Sequence, residues 1–243
     1  MTTETLHRYA TADDLAHGVA VTLLGRLEQL QEGGRVAQLC LTGGRIANHI
    51  YASLGLMVEG SHLDPARLEL WWGDERFLPT SDPDRNAGET LAILAGHFPL
   101  APSRTHPMPA ADGLVDNVAS AVAYAKELGD TVFDICLLGM GADGHVASIF
   151  PGHASFAEVT HTVIGVDDSP KPPVERISLT LPALRRSREV WFLVSGSDKA
   201  DAVARSVAGD ASLPAGVTRG TEGTVWFLDS EAAAGLPYHR CSF

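Results

Sequence analysis

The chain has 243 residues, of which 45% are hydrophobic, so it is long enough to bury a core and is not globally disordered. Its formal charge is −12, from 18 Lys and Arg against 30 Asp and Glu, which argues against nucleic acid or an anionic membrane as the main partner. No apolar run approaches the roughly 18 residues that a membrane helix needs, and residues 1–15 lack the apolar core of a signal peptide.

Short apolar runs alternate along the chain with segments of helical periodicity. The predicted strands are 36–41, 68–72, 133–138, 162–166, 177–181, 190–194 and 225–228. The predicted helices are 15–30, 46–54, 86–94 with Asn86 as its cap, 114–128, 198–207 and 230–234. This alternation predicts an α/β protein, a single domain over 1–243 with a mostly parallel, Rossmann-like sheet and helices on both faces.

Glycine-bearing loops follow three of the predicted strands, at Gly43, Gly73 and Gly139. In a parallel sheet these are the carboxyl ends of strands, where ligands bind. We therefore expect the three loops to converge on one cleft.

The cysteines are Cys40, Cys136 and Cys241, an odd number without metal-binding spacing. Cys40 and Cys136 lie inside apolar, strand-like runs, where free cysteine behaves as a small core residue. This usage indicates a reducing, cytoplasmic location.

The loop 139–144 matches the dinucleotide fingerprint G-x-G-x-x-G and follows a strand. That site needs a helix that packs back onto the sheet, but Pro151-Gly152 ends any helix within two turns. The fingerprint also usually occupies the first strand-to-helix turn, with an acid about 20 residues further on. Here the loop lies past the middle of the chain, and no predicted strand ends in an acid at that spacing. Because His145 at the end of the loop can accept a proton near neutral pH, the segment favours chemistry over nucleotide binding.

Metal and covalent chemistry lack candidates in the sequence. The run Asp82-x-Asp84-x-Asn86 resembles the start of a calcium loop but lacks the Gly and Glu that later positions require. No His, Cys and Asp set has zinc spacing, and the Gly-x-Ser-x-Gly nucleophile elbow is absent. We expect no metal, no cofactor and no covalent intermediate.

Four cationic side chains lie in or next to predicted loops: Arg45, Arg76, Lys171 and Arg176. A Lys-Pro-Pro turn is stiff, and with a nearby Arg it is well suited to holding a phosphate. The alternative for each cation is a solvated surface charge. Their repeated placement argues against that alternative for Arg76, Lys171 and Arg176, and less so for Arg45.

Four segments, in order, resemble the 6-phosphogluconolactonases. They are Thr42-Gly43-Gly44, the Trp-Gly-Asp-Glu-Arg run 72–76 with 82–86, the run 138–152 that contains the Gly-x-Asp-Gly-His loop, and 171–180. The family often has Ser-Gly-Gly-Ser-Thr-Pro after its first strand, whereas here Arg45-Ile46-Ala47 follows the glycines, so two hydroxyls are lost. The resemblance implies hydrolysis of 6-phospho-D-glucono-1,5-lactone to 6-phosphogluconate in the pentose phosphate pathway, without a metal.

The resemblance also implies roles for individual residues. His145 would take a proton from water as it attacks the lactone carbonyl, and Asp143 either orients the imidazole or ties the loop together. The oxyanion would be bound by loop N–H groups near Gly43-Gly44 or within 139–144. The expected substrate- and phosphate-binding residues are Gly43, Gly44, Arg45, Asp74, Arg76, Gly141, Lys171 and Arg176. The partner is a small phosphorylated sugar lactone, and no nucleic acid, membrane or obligate protein partner is implied.

Two alternatives stay open from the sequence. Glucosamine-6-phosphate deaminases or isomerases share the fold and the Gly-x-Asp-Gly-His loop, but they tend to continue with Asn-Glu-Pro where this chain has Ser148-Ile149-Phe150-Pro151. A non-catalytic sugar-phosphate sensor would be expected to lack the base, whereas His145 is present.

Overall fold

A seven-stranded parallel sheet forms the centre of the computed structural model, which describes residues 3–97, 99–113 and 115–237. The strands of the described chain are β1 (Thr3–Tyr9), β2 (Ala37–Leu41), β3 (Leu68–Trp72), β4 (Asp74–Arg76), β5 (Thr105–His106), β6 (Ile135–Gly139), β7 (Val163–Val166), β8 (Arg176–Leu179), β9 (Glu189–Val194) and β10 (Gly223–Asp229). The parallel sheet has the order β1-β10-β9-β6-β2-β3-β5, and β4-β8-β7 form a small antiparallel sheet.

Helices cover both faces of the parallel sheet. The helices of the described chain are α1 (Ala12–Leu30), α2 (Arg45–Val58), α3 (Asn86–Ala95), α4 (Asn117–Leu128), α5 (Ala154–Ala157), α6 (Leu181–Arg185), α7 (Ala200–Val207) and α8 (Pro214–Val217). The chain moves from β2 to β3 to β5 in one direction and then from β6 to β9 to β10 in the other. Because such crossovers are right-handed, the two halves place their helices on opposite faces. The predicted fold class is therefore confirmed.

The core lies in the central strands, which read as continuous apolar runs because both of their faces are covered. Residues 135–138 of β6 and 39–41 of β2 are all buried. Cys40 and Cys136 face each other across these two strands and are fully buried, and burial raises the pKa of the Cys40 thiol. Their prediction as core residues is confirmed, while Cys241 lies outside the described residues.

Helix starts differ from the prediction where a side chain caps the first turn. Helix α1 begins at Ala12 because the Thr11 hydroxyl accepts the Asp14 N–H at 3.1 Å. Helix α4 begins at Asn117, capped by the Asp116 carboxylate; the predicted start at Leu114 lies outside the described residues.

Two predictions at element ends are wrong. Asn86 does not cap α3 but is its first helical residue, and its side chain donates to the Asp74 carbonyl. The segment 230–234 forms hydrogen-bonded turns instead of a helix, because its backbone bonds do not continue as one ladder: the Ala233 N–H donates four residues back to the Asp229 carbonyl, and the Ala234 N–H donates three residues back to the Glu231 carbonyl.

Several short elements were not predicted from the sequence. Strand β1 is a polar edge strand whose alternation is weak, and it is held by pairing with β10. Strand β4 starts one residue after β3, across Gly73, whose carbonyl accepts the Leu179 N–H at 2.8 Å. The predicted strands 162–166 and 177–181 exist, but they pair with each other beside β4 and stay outside the parallel sheet.

No helix within the described ranges is long and apolar enough to cross a membrane.

A buried carboxylate takes the place of a side-chain cap at the start of α3. Glu75 is 0% exposed, and its two carboxylate oxygens accept the N–H groups of Arg76, Asn86 and Ala87 at 2.7 to 2.8 Å. Burial raises the pKa of Glu75, against these donors and the Arg85 guanidinium 3.8 Å away. Glu75 thereby fixes the direction in which α3 leaves the β4 loop.

We expect Glu75→Gln to lower the free energy of unfolding by about 2 kcal/mol. Both oxygens of the carboxylate accept backbone N–H groups, so the amide NH₂ of Gln must point at a buried N–H donor and one hydrogen bond is lost. Urea unfolding of wild type and variant measures this. The matched control is Glu175→Gln at an exposed carboxylate, for which we expect a change within about 0.5 kcal/mol. Equal effects of the two substitutions would contradict the role of Glu75.

Candidate active site

The carboxyl ends of β2, β6 and β9 open into one cleft of about 660 Å³. Strands β2 and β6 are neighbours at which the chain reverses direction across the sheet, the position where open α/β sheets bind ligands. The two loops meet directly, since the Gly139 N–H donates to the Thr42 hydroxyl at 3.4 Å. The prediction that three loops converge is confirmed: Gly43 and Gly139 line the cleft, and the loop after Gly73 contributes Asp74 and Arg76.

The structure brings the residues of the predicted site together. Those that line the cleft are Gly43, Gly44, Arg45, Asp74, Arg76, Gly141, His145, Lys171 and Arg176. Asp143 stands next to the lining, in contact with the imidazole of His145.

His145 has its ring orientation fixed on two sides. Its Nδ1 lies 2.5 Å from Asp143 Oδ1, and its ring packs against Phe150 with the centroids 4.7 Å apart. Because a carboxylate only accepts hydrogen bonds, Nδ1 carries the proton and donates. In the neutral ring Nε2 then has a free lone pair, which is the state that a general base requires.

Asp143 is held in its ionised form. Partial burial alone would raise the pKa of its carboxyl, but the hydrogen bond and charge of His145 and the Lys171 ammonium lower it well below its ordinary range. Lys171 Nζ is 3.6 Å from Asp143 Oδ1 and 3.4 Å from His145 Nδ1. The three side chains thus form one compact cluster in which Asp143 accepts from both neighbours.

The glycines of this loop are required by close approach. A Cβ at Gly141 would lie 2.0 Å from His145 Nδ1 and 2.4 Å from Asp143 Oδ1. Gly144 has φ +81°, in the left-handed region that favours glycine. The N–H groups of Gly141 and Gly144 bond within the loop, to the carbonyls of His145 and Gly141. These two N–H groups are therefore already used within the loop, which removes them from the expected oxyanion donors.

The first turn of α2 offers open N–H groups to the cleft. Gly44 precedes the helix with φ +103°, and no side chain caps it. The first N–H groups of a helix lack intrahelical partners and, with the helix dipole, favour anions. Gly43 permits the approach of α3, since a Cβ there would lie 1.9 Å from the Asn86 carboxamide oxygen. Arg45 is exposed at the same end of the cleft.

Arg176 organises the loop that carries Lys171. Its Nε donates to the Pro173 carbonyl and its Nη2 to the carbonyls of Lys171 and Pro172, all at 3.1 Å. Burial lowers the pKa of this guanidinium while Asp74, 3.9 Å away, opposes the shift. Three of its five N–H donors are engaged in this way, while Arg176 itself lines the cleft.

Asp74 and Arg76 extend from β4 into the same cleft. The Asp74 carboxylate is buried and accepts the Ser148 hydroxyl at 2.7 Å, which ties the His145 loop to β4. Arg76 donates through Nη1 to the Asp84 carbonyl, and its buried Nε has no partner within the described part of the chain. Arg76, which lines the cleft, therefore retains one unused N–H donor, at Nε.

Lys199 also lines the cleft, although its place there was not predicted from the sequence. Its Nζ donates to the Met140 carbonyl at 2.7 Å. Burial lowers its pKa; Lys171 and Arg45 act in the same direction, and Asp198 opposes them. The sequence signal that would have found it is Gly196 just after β9, a fourth glycine loop at a carboxyl strand end.

Among the residues that the structure describes, no group of three or more His, Cys, Asp and Glu side chains is placed to hold a metal ion.

Comparisons with known proteins agree on one family. A family model described as glucosamine-6-phosphate isomerases/6-phosphogluconolactonase matches residues 10–226. The 6-phosphogluconolactonase of Streptomyces coelicolor is 46% identical, over 92% of this chain and 91% of the relative, and that of Mycobacterium tuberculosis is 41% identical, over 94% and 97%. The crystal structure of 6-phosphogluconolactonase from Thermotoga maritima superposes with TM-score 0.83 at 27% identity, over 93% of this chain and 100% of that one.

The Asp143 cluster predicts how stability depends on pH. Because the pKa of Asp143 is lower in the folded state than its unfolded value near 3.9, its carboxylate stabilises the fold above that pH, and the contribution is lost as the pH falls toward the folded pKa. We expect wild type to be more stable than Asp143→Asn at neutral pH, with the difference shrinking below about pH 4.

Chemical unfolding of both proteins from neutral to acid pH measures this difference. Asp130→Asn, at an exposed carboxylate away from the cleft, is the matched control and should stay close to wild type throughout. A stability difference for Asp143→Asn that grows as the pH falls would contradict the cluster.

Proposed function

The chain belongs to the glucosamine-6-phosphate isomerase/6-phosphogluconolactonase family, and we propose that it hydrolyses 6-phospho-D-glucono-1,5-lactone to 6-phospho-D-gluconate in the oxidative branch of the pentose phosphate pathway. The observation that carries this proposal is the Asp143–His145 pair next to Lys171 at the switch point of the sheet. It supplies a base next to cationic groups, which is what hydrolysis of an anionic lactone needs.

His145 acts as general base in this proposal. Its Nε2 takes a proton from a water molecule while the water oxygen attacks the lactone carbonyl carbon, and a tetrahedral oxyanion forms. When the oxyanion collapses, the bond from the carbonyl carbon to the ring oxygen breaks. The departing ring oxygen takes the proton from His145 and becomes a hydroxyl, so the imidazole returns to its neutral form.

Asp143 keeps the base in the required tautomer. Its carboxylate accepts the Nδ1 proton, so Nε2 is the nitrogen that faces the reaction, and its charge compensates the imidazolium that forms during the step. We therefore assign Asp143 the orienting role, one of the two roles that the sequence leaves open. A general base contributes roughly 10²- to 10⁴-fold, and with positioning of the substrate this needs no covalent intermediate.

The cations bind the phosphate and sugar hydroxyls. Lys171, Lys199, Arg45 and Arg76 line the cleft and reverse the field of an otherwise acidic chain. The open N–H groups at the start of α2 add donors for an anionic oxygen. Arg176 supports the site by holding the carbonyls of the Lys171 loop.

The alternatives are less well supported. Deaminase or isomerase activity on glucosamine 6-phosphate fits the family model as a whole, but the relatives at 41% and 46% identity carry the lactonase name. A binding protein without catalysis does not require the Asp143–His145 pair, which is fully formed here. A cytoplasmic location is supported by two buried free cysteines.

The test of function is an assay of both substrate types. We expect wild type to open the phosphorylated lactone faster than its spontaneous opening, and His145→Ala to lower kcat by about 10²- to 10⁴-fold because the base is lost. Calorimetry should show that the variant still binds 6-phosphogluconate, since the cations are intact.

His161→Ala, at an exposed histidine outside the cleft lining, is the control and should retain wild-type turnover. Release of ammonia from glucosamine 6-phosphate without lactone hydrolysis would overturn the proposed function, and a near-normal rate in His145→Ala would overturn the assigned base.

A further inference from the structure

A second histidine, His153, stands at the start of α5 with both ring nitrogens bonded. Its Nδ1 accepts the Ser155 backbone N–H at 3.1 Å and lies 2.9 Å from the Ser155 hydroxyl oxygen. Its Nε2 lies 2.7 Å from Asp168 Oδ1. Because Nδ1 accepts a backbone N–H, it carries no proton, so Nε2 carries the proton and donates to Asp168. This is the tautomer opposite to that of His145.

One side of His153 reaches the ring that packs on the base. The Ser155 hydroxyl oxygen accepts the Phe150 N–H at 3.3 Å and lies 2.9 Å from His153 Nδ1, whose one lone pair it can only share with the Ser155 N–H. Phe150 is buried, and its ring contacts both His145 and His153. On this side His153 is therefore connected to the His145 loop through Phe150 and Ser155.

The other side of His153 reaches the loop that carries Lys171. Asp168 directly precedes Ser169, whose hydroxyl accepts the Lys171 N–H and donates to the Lys171 carbonyl. Lys171 in turn places its ammonium 3.4 Å from His145 Nδ1. The His153–Asp168 hydrogen bond thus connects the His145 loop to the Lys171 loop, whose ammonium lies against His145.

We propose that His153 is a positioning residue that joins the His145 loop to the Lys171 loop and so sets where the Lys171 ammonium stands relative to the base. The inference rests on the proposed function for its kinetic consequence, because Lys171 there binds the substrate.

The Ser155, His153 and Asp168 contacts resemble the order of a nucleophilic triad, but Ser155 cannot serve as a nucleophile. It is 3% exposed, is not among the residues that line the cleft, and its hydroxyl oxygen already accepts the Phe150 N–H. The arrangement therefore works as a bridge between two loops.

The substitution His153→Asn separates bridging from capping. An Asn side chain at this position can still accept the Ser155 N–H as a helix cap, but it is too short to reach Asp168. The bridge lies near the surface, with the Asp168 side chain 83% exposed. We therefore expect His153→Asn and Asp168→Ala each to raise KM for the lactone about 3- to 5-fold, with kcat unchanged.

A double-substitution cycle with Lys171→Met shows whether the effect passes through Lys171. We expect His153→Asn to add nothing to KM in the Lys171→Met background, since the ammonium that it positions is gone. His161→Asn, at the exposed His161–Glu158 pair, is the matched control and should leave KM unchanged. An unchanged KM in Asp168→Ala, a surface change that spares the fold, or a full His153→Asn effect in the Lys171→Met background, would overturn the proposal.

Nitrogen-15 NMR of the histidine rings tests the geometry without reference to the reaction. We expect a bare Nδ1 and a protonated Nε2 at His153, and a shift of the His145 ring resonances in His153→Asn. A protonated Nδ1 at His153, or unmoved His145 resonances, would overturn the bridge. Failure of wild type to hydrolyse the lactone would instead overturn the proposed function, so the two failures are distinguishable.

Discussion

The hydrogen bond between the Asp143 carboxylate and His145 Nδ1 is the interaction on which the candidate site depends. It determines which ring nitrogen is left free, and it supplies the negative charge that lets Lys171 stand 3.4 Å from the same ring. A chain with a side chain at Gly141 has no room for this contact. The glycines of the loop are therefore used to bring a carboxylate, an imidazole and an ammonium into one cluster, and not to cradle a nucleotide.

The parallel sheet brings the other loops of the candidate site to the same edge. Strands β2 and β6 are adjacent, yet the chain leaves them in opposite directions, so the loop with His145 and the open end of α2 meet at one edge. The antiparallel strands β4 and β8 then carry Arg76 and Arg176 to that edge, and Asp74 ties β4 to the His145 loop through Ser148. Cations from several loops therefore face one cleft in a chain of net charge −12.

Much of this could be predicted from the sequence, because buried strands and glycine loops have strong local patterns. The strand 68–72, the loops at Gly43 and Gly139, and His145 with its neighbouring cations were all found in this way. Features that depend on tertiary contacts could not be found. From the sequence Asn86 resembles a helix cap, but in the fold the Glu75 carboxylate of β4 accepts the first N–H groups of α3. Strand β1 is defined by its pairing with β10. The position of Lys199 is set by its hydrogen bond to the Met140 carbonyl.

The central claim is that Asp143 and His145 work as one unit whose neutral imidazole is the base. The most direct test is a double-substitution cycle on kcat for lactone hydrolysis with Asp143→Asn, His145→Ala and the combined variant. Because Asp143 acts only through the imidazole that it orients, Asp143→Asn should lower kcat in the wild-type background and add nothing in the His145→Ala background. An unchanged kcat in Asp143→Asn, or losses that multiply in the combined variant, would contradict the account.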